Sequence, residues 1–104
     1  MLSKVRRVPV GLFPSHPSKI LRGRFLTVKV AQNAKGFRRF GVIVSKTVAK
    51  SAVRRNRLKR LAYRVLGRIS EKAAEDVIVI LKPPAASASA AELKEELLRL
   101  AGRK

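Results

Sequence analysis

The chain has 104 residues and a formal net charge of +19, with 25 Lys and Arg against six Asp and Glu. It has no cysteine, which excludes disulfides and cysteine-based zinc sites. No apolar run approaches the roughly 20 residues needed to cross a bilayer, and the N-terminus lacks the pattern of a signal peptide. We therefore expect one domain, residues 1–104, in a cytoplasmic protein without a membrane partner.

The positive charge is concentrated in the first two thirds of the chain. All six acids lie after residue 70, whereas residues 1–70 hold 19 of the 25 Lys and Arg. The last 34 residues contain six bases and six acids, so they are neutral. Because uncompensated charge destabilises a compact fold by self-repulsion, this distribution predicts a polyanionic partner for the basic part.

Residues 1–23 give the weakest structural prediction. Their three prolines argue against a long helix, although a short turn is expected at residues 19–21. His16, the only histidine, has no acid or second histidine nearby and is interpreted as a loop residue.

Two strands are predicted next, because residues 24–31 and residues 37–45 both alternate with period two. The apolar positions that share a face are Leu26, Val28 and Val30 in the first strand and Phe40, Val42 and Val44 in the second. Residues 32–36, with Asn33 and Gly36, indicate a hairpin turn. Strands joined by so short a link are predicted to pair antiparallel.

Residues 50–68, KSAVRRNRLKRLAYRVLGR, predict a helix that carries eight basic residues and no acid. At about 100° per residue, its side chains separate into an apolar stripe and a basic face. The stripe comprises Leu58, Leu61, Val65 and Ile69 with Ala62 beside it, and the basic face contains an arginine ridge of Arg57, Arg60, Arg64 and Arg68. Ser51 is the predicted N-cap, and the helix should run from about residue 52 to about residue 68.

The one-signed charge of this helix indicates an external anion. Solvated helix faces usually mix both signs, so that oppositely charged residues four positions apart can pair. Arg54 and Arg55 would lie in the first turn, where the helix dipole is already positive and a carboxylate is favoured. A phosphate bound there would compensate both effects.

Residues 76–82, DVIVILK, form a nearly continuous apolar run and predict a buried central strand, which Pro83 and Pro84 end. A short helical turn is expected at residues 70–74. Ser89 is expected to cap a second helix, residues 91–101. The residues predicted to point inward from that helix are Leu93, Leu97, Leu98 and Leu100. The order of elements predicts an α+β or split βαβ layout, with helices on one face of a small sheet.

Side chains suited to catalysis are not grouped in this sequence. There is one histidine and no cysteine, and acids such as Glu75 and Glu96 fit exposed helix surfaces in the neutral last third. No glycine-rich phosphate loop is present. We therefore expect no catalytic residue, no metal site and no small-molecule ligand in this chain.

With its basic helix, the sequence resembles the protein subunit of bacterial ribonuclease P. The family motif R-N-x-x-K-R reads RNRLKR at residues 55–60, and a preceding V-S-K stands at residues 44–46. The run DVIVILKPPA is similar to the last strand of the family with its proline-containing turn. The resemblance covers roughly residues 25–101.

The resemblance implies an α+β fold of αβββαβα type: a small mixed four-stranded sheet with helices, shared with one domain of a small-subunit ribosomal protein. It also implies a left-handed βαβ crossover through the basic helix, which is an exception to the usual handedness. The implied partners are ribonuclease P RNA and precursor tRNA. The RNA is the implied catalyst and requires Mg²⁺ to cleave the precursor at its 5′ end, whereas the protein itself binds no cofactor.

The resemblance also implies two binding surfaces. Together with the basic face of the helix, it assigns contacts with the catalytic RNA to Lys46, Lys50, Arg54, Arg55, Asn56, Arg57, Lys59, Arg60, Arg64 and Arg68. It implies a cleft for the 5′ leader of the precursor between the sheet and a helix. The candidate cleft residues are Phe13, Leu26, Val28, Ile43 and Tyr63. For Phe13, a role in covering the edge of the core is an equal alternative.

The leading hypothesis is an RNA-binding accessory subunit of a ribozyme endonuclease. The main alternative is a structural ribosomal protein that binds rRNA through the same basic face. A DNA-binding helix module is disfavoured, because the basic helix is not part of a helix-turn-helix pattern.

Overall fold

The computed structural model describes residues 19–33, 36–69 and 74–102. The strands are β1 (Lys19–Arg22), β2 (Leu26–Gln32), β3 (Arg39–Ile43) and β4 (Glu75–Leu81), and the helices are α1 (Ala52–Leu66) and α2 (Ala90–Ala101). A 3-10 turn at Pro83–Ser87 follows β4. The predictions for His16, for Phe13 and for most of the turn at residues 70–74 lie outside the described residues.

The four strands form one mixed sheet in the order β1-β2-β4-β3. β2 is antiparallel to both β1 and β4, whereas β3 is parallel to β4. The predicted hairpin between β2 and β3 is therefore wrong: the two strands run in opposite directions, but β4 lies between them. The link of residues 33–38 has only to span two strand spacings, roughly 10 Å, which six residues do easily.

The polar groups of Asn33 hold this link across the end of β4. Its backbone N–H donates to the carbonyl of Ala74, and its side-chain amide donates to the carbonyl of Phe37 and to the carboxylate of Asp76. Gly36 has a φ of +79°, in the left-handed region that favours glycine. Both residues that were predicted to shape a turn therefore do so, although they join strands that are not neighbours.

Strand β1 replaces the short turn expected at residues 19–21. Lys19 to Arg22 pair with β2 in register, so that Leu21 lies opposite Val28. A strand of four residues is too short to show a clear alternation in the sequence. Without β1, the backbone N–H and C=O groups on that edge of β2 would have no strand partner. The strand is an edge, and most of its side chains are exposed.

Both helices pack on one face of the sheet. The register aligns Leu26 with Leu81, Val28 with Val79 and Val30 with Val77 on that face. The side chains that the helices contribute to this core are Ala62, Val65 and Leu66 from α1 and Leu93, Leu97 and Leu100 from α2. Leu66, fully buried, was missing from the predicted stripe, while Leu58 and Leu61 are half-buried at the edge of the core.

Helix α2 begins at a complete capping box and differs from its prediction in two residues. The Ser89 hydroxyl accepts the Glu92 N–H, and the Glu92 carboxylate accepts the Ser89 N–H. Leu98, expected inward, is 39% exposed, whereas Glu96, expected on the surface, is 4% exposed. The side chains buried from α2 include Leu93, Glu96, Leu97 and Leu100, and their spacing is that of one helix face.

The predicted α+β class with a mixed sheet is confirmed. The layout is not a split βαβ unit, however, because β3 and β4 are adjacent. The left-handed sense of the β3-α1-β4 crossover stays a prediction. In the part of the chain that the structure describes, neither helix is long and apolar enough to cross a membrane.

Candidate nucleic-acid interface

Helix α1 is introduced by a tight turn that leaves its lysines exposed. The carbonyl of Ser45 accepts the N–H groups of Val48 and Ala49, and both of these side chains are buried. Lys46 precedes them and Lys50 follows them, and both lysines are exposed. The turn therefore buries its apolar side chains in the core and leaves its two lysines exposed just before α1.

Helix α1 starts at the predicted N-cap and has no acid in its first turn. The Ser51 hydroxyl accepts the Arg54 N–H at 3.4 Å. The first turn instead contains Arg54 and Arg55, so the positive end of the helix dipole is reinforced by cations. This arrangement favours an anion near the start of the helix.

Every residue assigned to RNA contact lies on α1 or within a few residues of its ends. Most of them are exposed; the half-buried exceptions are Arg55 and Lys59. The arginine ridge of Arg57, Arg60, Arg64 and Arg68 is exposed along its whole length. The structure thus places seven of the ten predicted residues on α1, and Lys46, Lys50 and Arg68 in the segments that flank it.

Two of these arginines bind the protein's own backbone. Arg55 donates from Nη1 to the carbonyls of Ala49 and Lys50, at 2.9 and 2.7 Å. Arg54 donates from Nη2 to the carbonyl of Ala86, at 3.2 Å. These contacts fix the turn before α1 and the turn after β4, so Arg54 and Arg55 have a structural role that the sequence did not reveal.

The arginine ridge, by contrast, has no acidic partner among the described residues, where the ion pairs are Arg38–Glu75, Arg39–Asp76 and Arg99–Glu96. Glu92 is engaged by its capping box. These four described acids therefore interact with groups away from α1. The ridge remains a one-signed surface of the kind that binds phosphates.

Two pKa values are shifted by local hydrogen bonds. The bond to the Asp76 carboxylate raises the pKa of Arg39, whose guanidinium donates two bonds of 2.8 and 2.7 Å. The Ser89 backbone N–H, with a smaller contribution from the Ser89 side chain, lowers the pKa of Glu92. Both groups are charged at neutral pH, and both serve the fold rather than the basic face.

The candidate cleft residues that the structure describes, which exclude Phe13, do not share one surface. Leu26 and Val28 are 0% exposed beneath the helices, which closes them to any ligand. Ile43 lies on the other face of the sheet, since it follows Val42 on β3, and it is half-buried. The hydroxyl of Tyr63 accepts the Val42 N–H at the free edge of β3. Placing Leu26 and Val28 in a cleft was therefore wrong, because their strand faces inward at those positions.

The face of the sheet opposite the helices was only partly identified from the sequence, because Ile43 is the one described candidate cleft residue that lies on this face. Pairing across β1, β2, β4 and β3 aligns Arg22, Thr27, Ile80 and Ile43 in one row. The last three are half-buried and Arg22 is exposed. Alternation along β2 and β3 predicted this face, but a set of residues on it could be chosen only once the strand order was known.

The described residues give no sign of a metal centre. None of their His, Asp and Glu side chains form a group of three or more that could hold an ion. The charged side chains of α1 are all basic, so this part of the molecule is suited to anions.

Comparison with known proteins gives one family. The model of the Ribonuclease P family matches residues 15–104. A ribonuclease P protein component from Azoarcus sp. is 41% identical over 86 residues, covering 82% of this chain and 72% of the relative. Another from Thermus scotoductus is 42% identical over 78 residues, covering 75% of this chain and 46% of the relative. The solved structure of the RNase P protein from Thermotoga maritima aligns with a TM-score of 0.73 and 26% identity, over 83% of each chain.

Proposed function

The chain belongs to the ribonuclease P protein family, and we propose that it binds both the catalytic RNA and the 5′ leader of precursor tRNA. As a member of this family it is a subunit of an endoribonuclease complex that processes tRNA, with ribonuclease P RNA as its partner. The family match favours this function over the ribosomal-protein alternative. Precursor tRNA as substrate and the cytoplasm as location are parts of the proposal.

The observation that carries the proposal is the arginine ridge along α1, which has no acidic partner among the described residues. Arginine side chains bind phosphate through two parallel hydrogen bonds, and a row of them follows the spacing of a nucleic-acid backbone. Asn56, exposed beside the ridge, supplies an amide that can donate and accept at a base edge. The basic face of α1 thus contacts the catalytic RNA, while the apolar face keeps the helix on the sheet.

Bond cleavage is assigned to the RNA partner with Mg²⁺. Hard divalent cations prefer oxygen ligands, chiefly carboxylates and phosphates, and the described residues around α1 offer arginine and lysine instead. Where the basic face meets RNA, its own role is to neutralise phosphates and to orient the RNA. This lowers the concentration of Mg²⁺ that the RNA needs to fold and to bind its substrate.

The 5′ leader is assigned to the sheet face opposite the helices. The row of Thr27, Ile80 and Ile43 offers a shallow, half-buried surface, with Arg22 at its β1 end to attract phosphates. Aliphatic side chains contact bases without the stacking that aromatic side chains give. We therefore expect this face to bind the leader weakly and with little sequence preference.

Reconstituted cleavage tests the function. Precursor tRNA should be cut at its 5′ end by the cognate RNA, and at low Mg²⁺ the added protein should raise the rate by at least about tenfold, a change of about 1.4 kcal/mol in activation free energy. The control is the same reaction at high Mg²⁺, where the RNA should need the protein less. An equal rate with and without protein throughout a Mg²⁺ titration would contradict the proposal.

Crosslinking tests the position of the leader. A precursor with 4-thiouridine in its leader should crosslink to Thr27, Ile43 or Ile80, with the adducts mapped by mass spectrometry. A precursor with the same label in the anticodon loop is the control. Leader adducts found only on α1 would show that the sheet face is not the leader site.

A further inference from the structure

A groove separates the basic side of α1 from the start of α2. Its volume is about 400 Å³, which falls within the range of about 300 to 1,000 Å³ that is typical of small-molecule sites. Helix α1 forms one wall, and Ala88, Ala90 and Leu93 form the other. The hydrogen bond from Arg54 to the Ala86 carbonyl joins the two walls near one end. The groove is therefore part of the packed structure rather than a gap between loose segments.

Three members of the arginine ridge form the charged side of the groove. Arg57, Arg60 and Arg64 line it, one helical turn apart. In the described ranges no carboxylate pairs with any of the three, and no acid lines the facing wall. The charge of this side is thus complementary to an anion.

The remaining lining of the groove is apolar. Leu58 and Leu61 are half-buried, Leu93 is buried, and Ala88 and Ala90 complete the surface. A phosphate alone makes no favourable contact with such a surface, because its oxygens require hydrogen-bond donors. A flat aromatic ring makes favourable contact with an apolar lining, and the guanidinium planes of neighbouring arginines can stack on such a ring.

We propose that this groove binds one unstacked nucleobase of the RNA partner, while the adjoining phosphates bind Arg57, Arg60 and Arg64. This inference rests on the proposed function in that RNA is the ligand, and it adds a base-binding site beside arginines that are suited to phosphates. Loops and bulges of a folded RNA present such bases, whereas regular helices do not. The groove would therefore favour binding at an unpaired nucleotide.

The first test compares two small probes on the full-length, isotope-labelled chain by NMR. Adenosine 5′-monophosphate and ribose 5-phosphate carry the same phosphate and sugar, and only the first has a base. We expect adenosine 5′-monophosphate to shift the Leu58 and Leu61 methyl signals and the Ala90 amide at concentrations where ribose 5-phosphate leaves them unchanged. Equal shifts from both probes, or shifts from neither, would overturn the proposal.

The second test fills the groove without changing its charge. Ala90→Leu places three extra carbons in the groove, whereas Ala91→Leu adds the same atoms at the next exposed position, outside the groove lining. We expect Ala90→Leu to weaken binding to ribonuclease P RNA by about tenfold, because the added side chain takes the place of the base between the apolar lining and the guanidinium planes, and Ala91→Leu to change it less than twofold. Equal affinities of the two variants would overturn the proposal.

The salt dependence of binding separates this inference from the function on which it rests. If the groove holds a base, Ala90→Leu should weaken binding by the same factor at every salt concentration, because no phosphate contact is lost. If Ala90→Leu flattens the salt dependence, it has displaced phosphates and the base-binding inference is wrong, although the RNA-binding function stands. Absence of salt-dependent RNA binding by the unmodified protein would contradict the proposed function itself.

Discussion

The Glu96 carboxylate organises the turn between β1 and β2. It accepts the backbone N–H groups of Arg24, Phe25 and Leu26, at 2.7, 2.7 and 3.1 Å. These N–H groups belong to the two residues before β2 and to its first residue, and a side chain of α2 supplies their acceptor. Gly23 makes room for it, since a Cβ there would lie 2.6 Å from the Glu96 carboxyl carbon.

Removing this carboxylate should destabilise the fold strongly. Glu96→Ala leaves three backbone donors without an acceptor, and we expect a loss of at least about 2 kcal/mol in the free energy of unfolding. The neighbouring Glu95 is exposed, so Glu95→Ala should change the same quantity by less than about 0.5 kcal/mol. Urea unfolding followed by circular dichroism measures both, and equal losses would show that Glu96 is not a structural acceptor.

The burial of Glu96 shows where residue-level prediction from the sequence ends. Glu96 lies three residues after Leu93 and four before Leu100, so the helical periodicity by itself places it on the inward face of α2. Its charge led to the opposite prediction, because an isolated carboxylate is costly to bury. The donors that make burial favourable lie about 70 residues earlier in the chain, and no local pattern identifies them.

At the scale of single elements, helix α2 is stabilised at its start by a charged cap. Because the Ser89 groups lower the pKa of Glu92, the ionised form is the one that the folded state favours. The stability contributed by this charge is fully present above the ordinary carboxyl pKa of about 4.3. It is lost as the pH falls through the lowered pKa of the folded state.

The variant Glu92→Gln tests this cap by its pH dependence. Gln can still form a capping box, so the difference from the unmodified protein isolates the charge. We expect the urea midpoint of the variant to be lower by a constant amount between about pH 5 and pH 8, and the gap to close below about pH 4. A difference in urea midpoint that persists or widens below about pH 4 would show that the charge of Glu92 does not stabilise the helix.

Helix α1 was predicted more completely than any other element. Its N-cap Ser51, its apolar side and its arginine ridge all follow from the local sequence, and the structure confirms that the apolar side faces the sheet. The sequence did not show which of the basic residues bind the protein's own backbone and which are left exposed without such contacts. Arg54 and Arg55 bind backbone carbonyls of Ala86, Ala49 and Lys50, and those contacts depend on where other turns lie in space.

At the scale of the whole molecule, the strand order was the main error of prediction. A short link between two amphipathic strands normally makes a hairpin. Strand β4 is apolar on both sides, with Val77, Ile78 and Val79 all buried, and an interior position gives it a pairing neighbour on each edge. The sequence identified β4 as central. It did not show that β4 lies between β2 and β3, which are joined by a link of only six residues.

The distribution of charge explains how one small domain combines stability with RNA binding. Glu75 and Asp76 pair with Arg38 and Arg39 where β3 meets β4. Glu96 accepts backbone N–H groups where the sheet meets α2. Residues 46–68, which comprise α1 and its flanks, hold nine of the 25 Lys and Arg and no acid. RNA bound to this surface, as proposed, would relieve part of the repulsion that comes with a formal net charge of +19.

The central claim is that RNA binds to the arginine ridge, and the salt dependence of affinity for ribonuclease P RNA tests it most directly. For about six neutralised phosphates, log affinity should fall against log salt with a slope of roughly −4 to −5. The triple variant Arg57→Gln, Arg60→Gln, Arg64→Gln removes three ridge charges, whereas Lys19→Gln, Arg24→Gln, Lys94→Gln removes three exposed charges elsewhere. We predict that the ridge variant flattens the slope by about 2 and the control by less than about 1. Equal flattening in both variants, or an unchanged slope in the ridge variant, would contradict the claim.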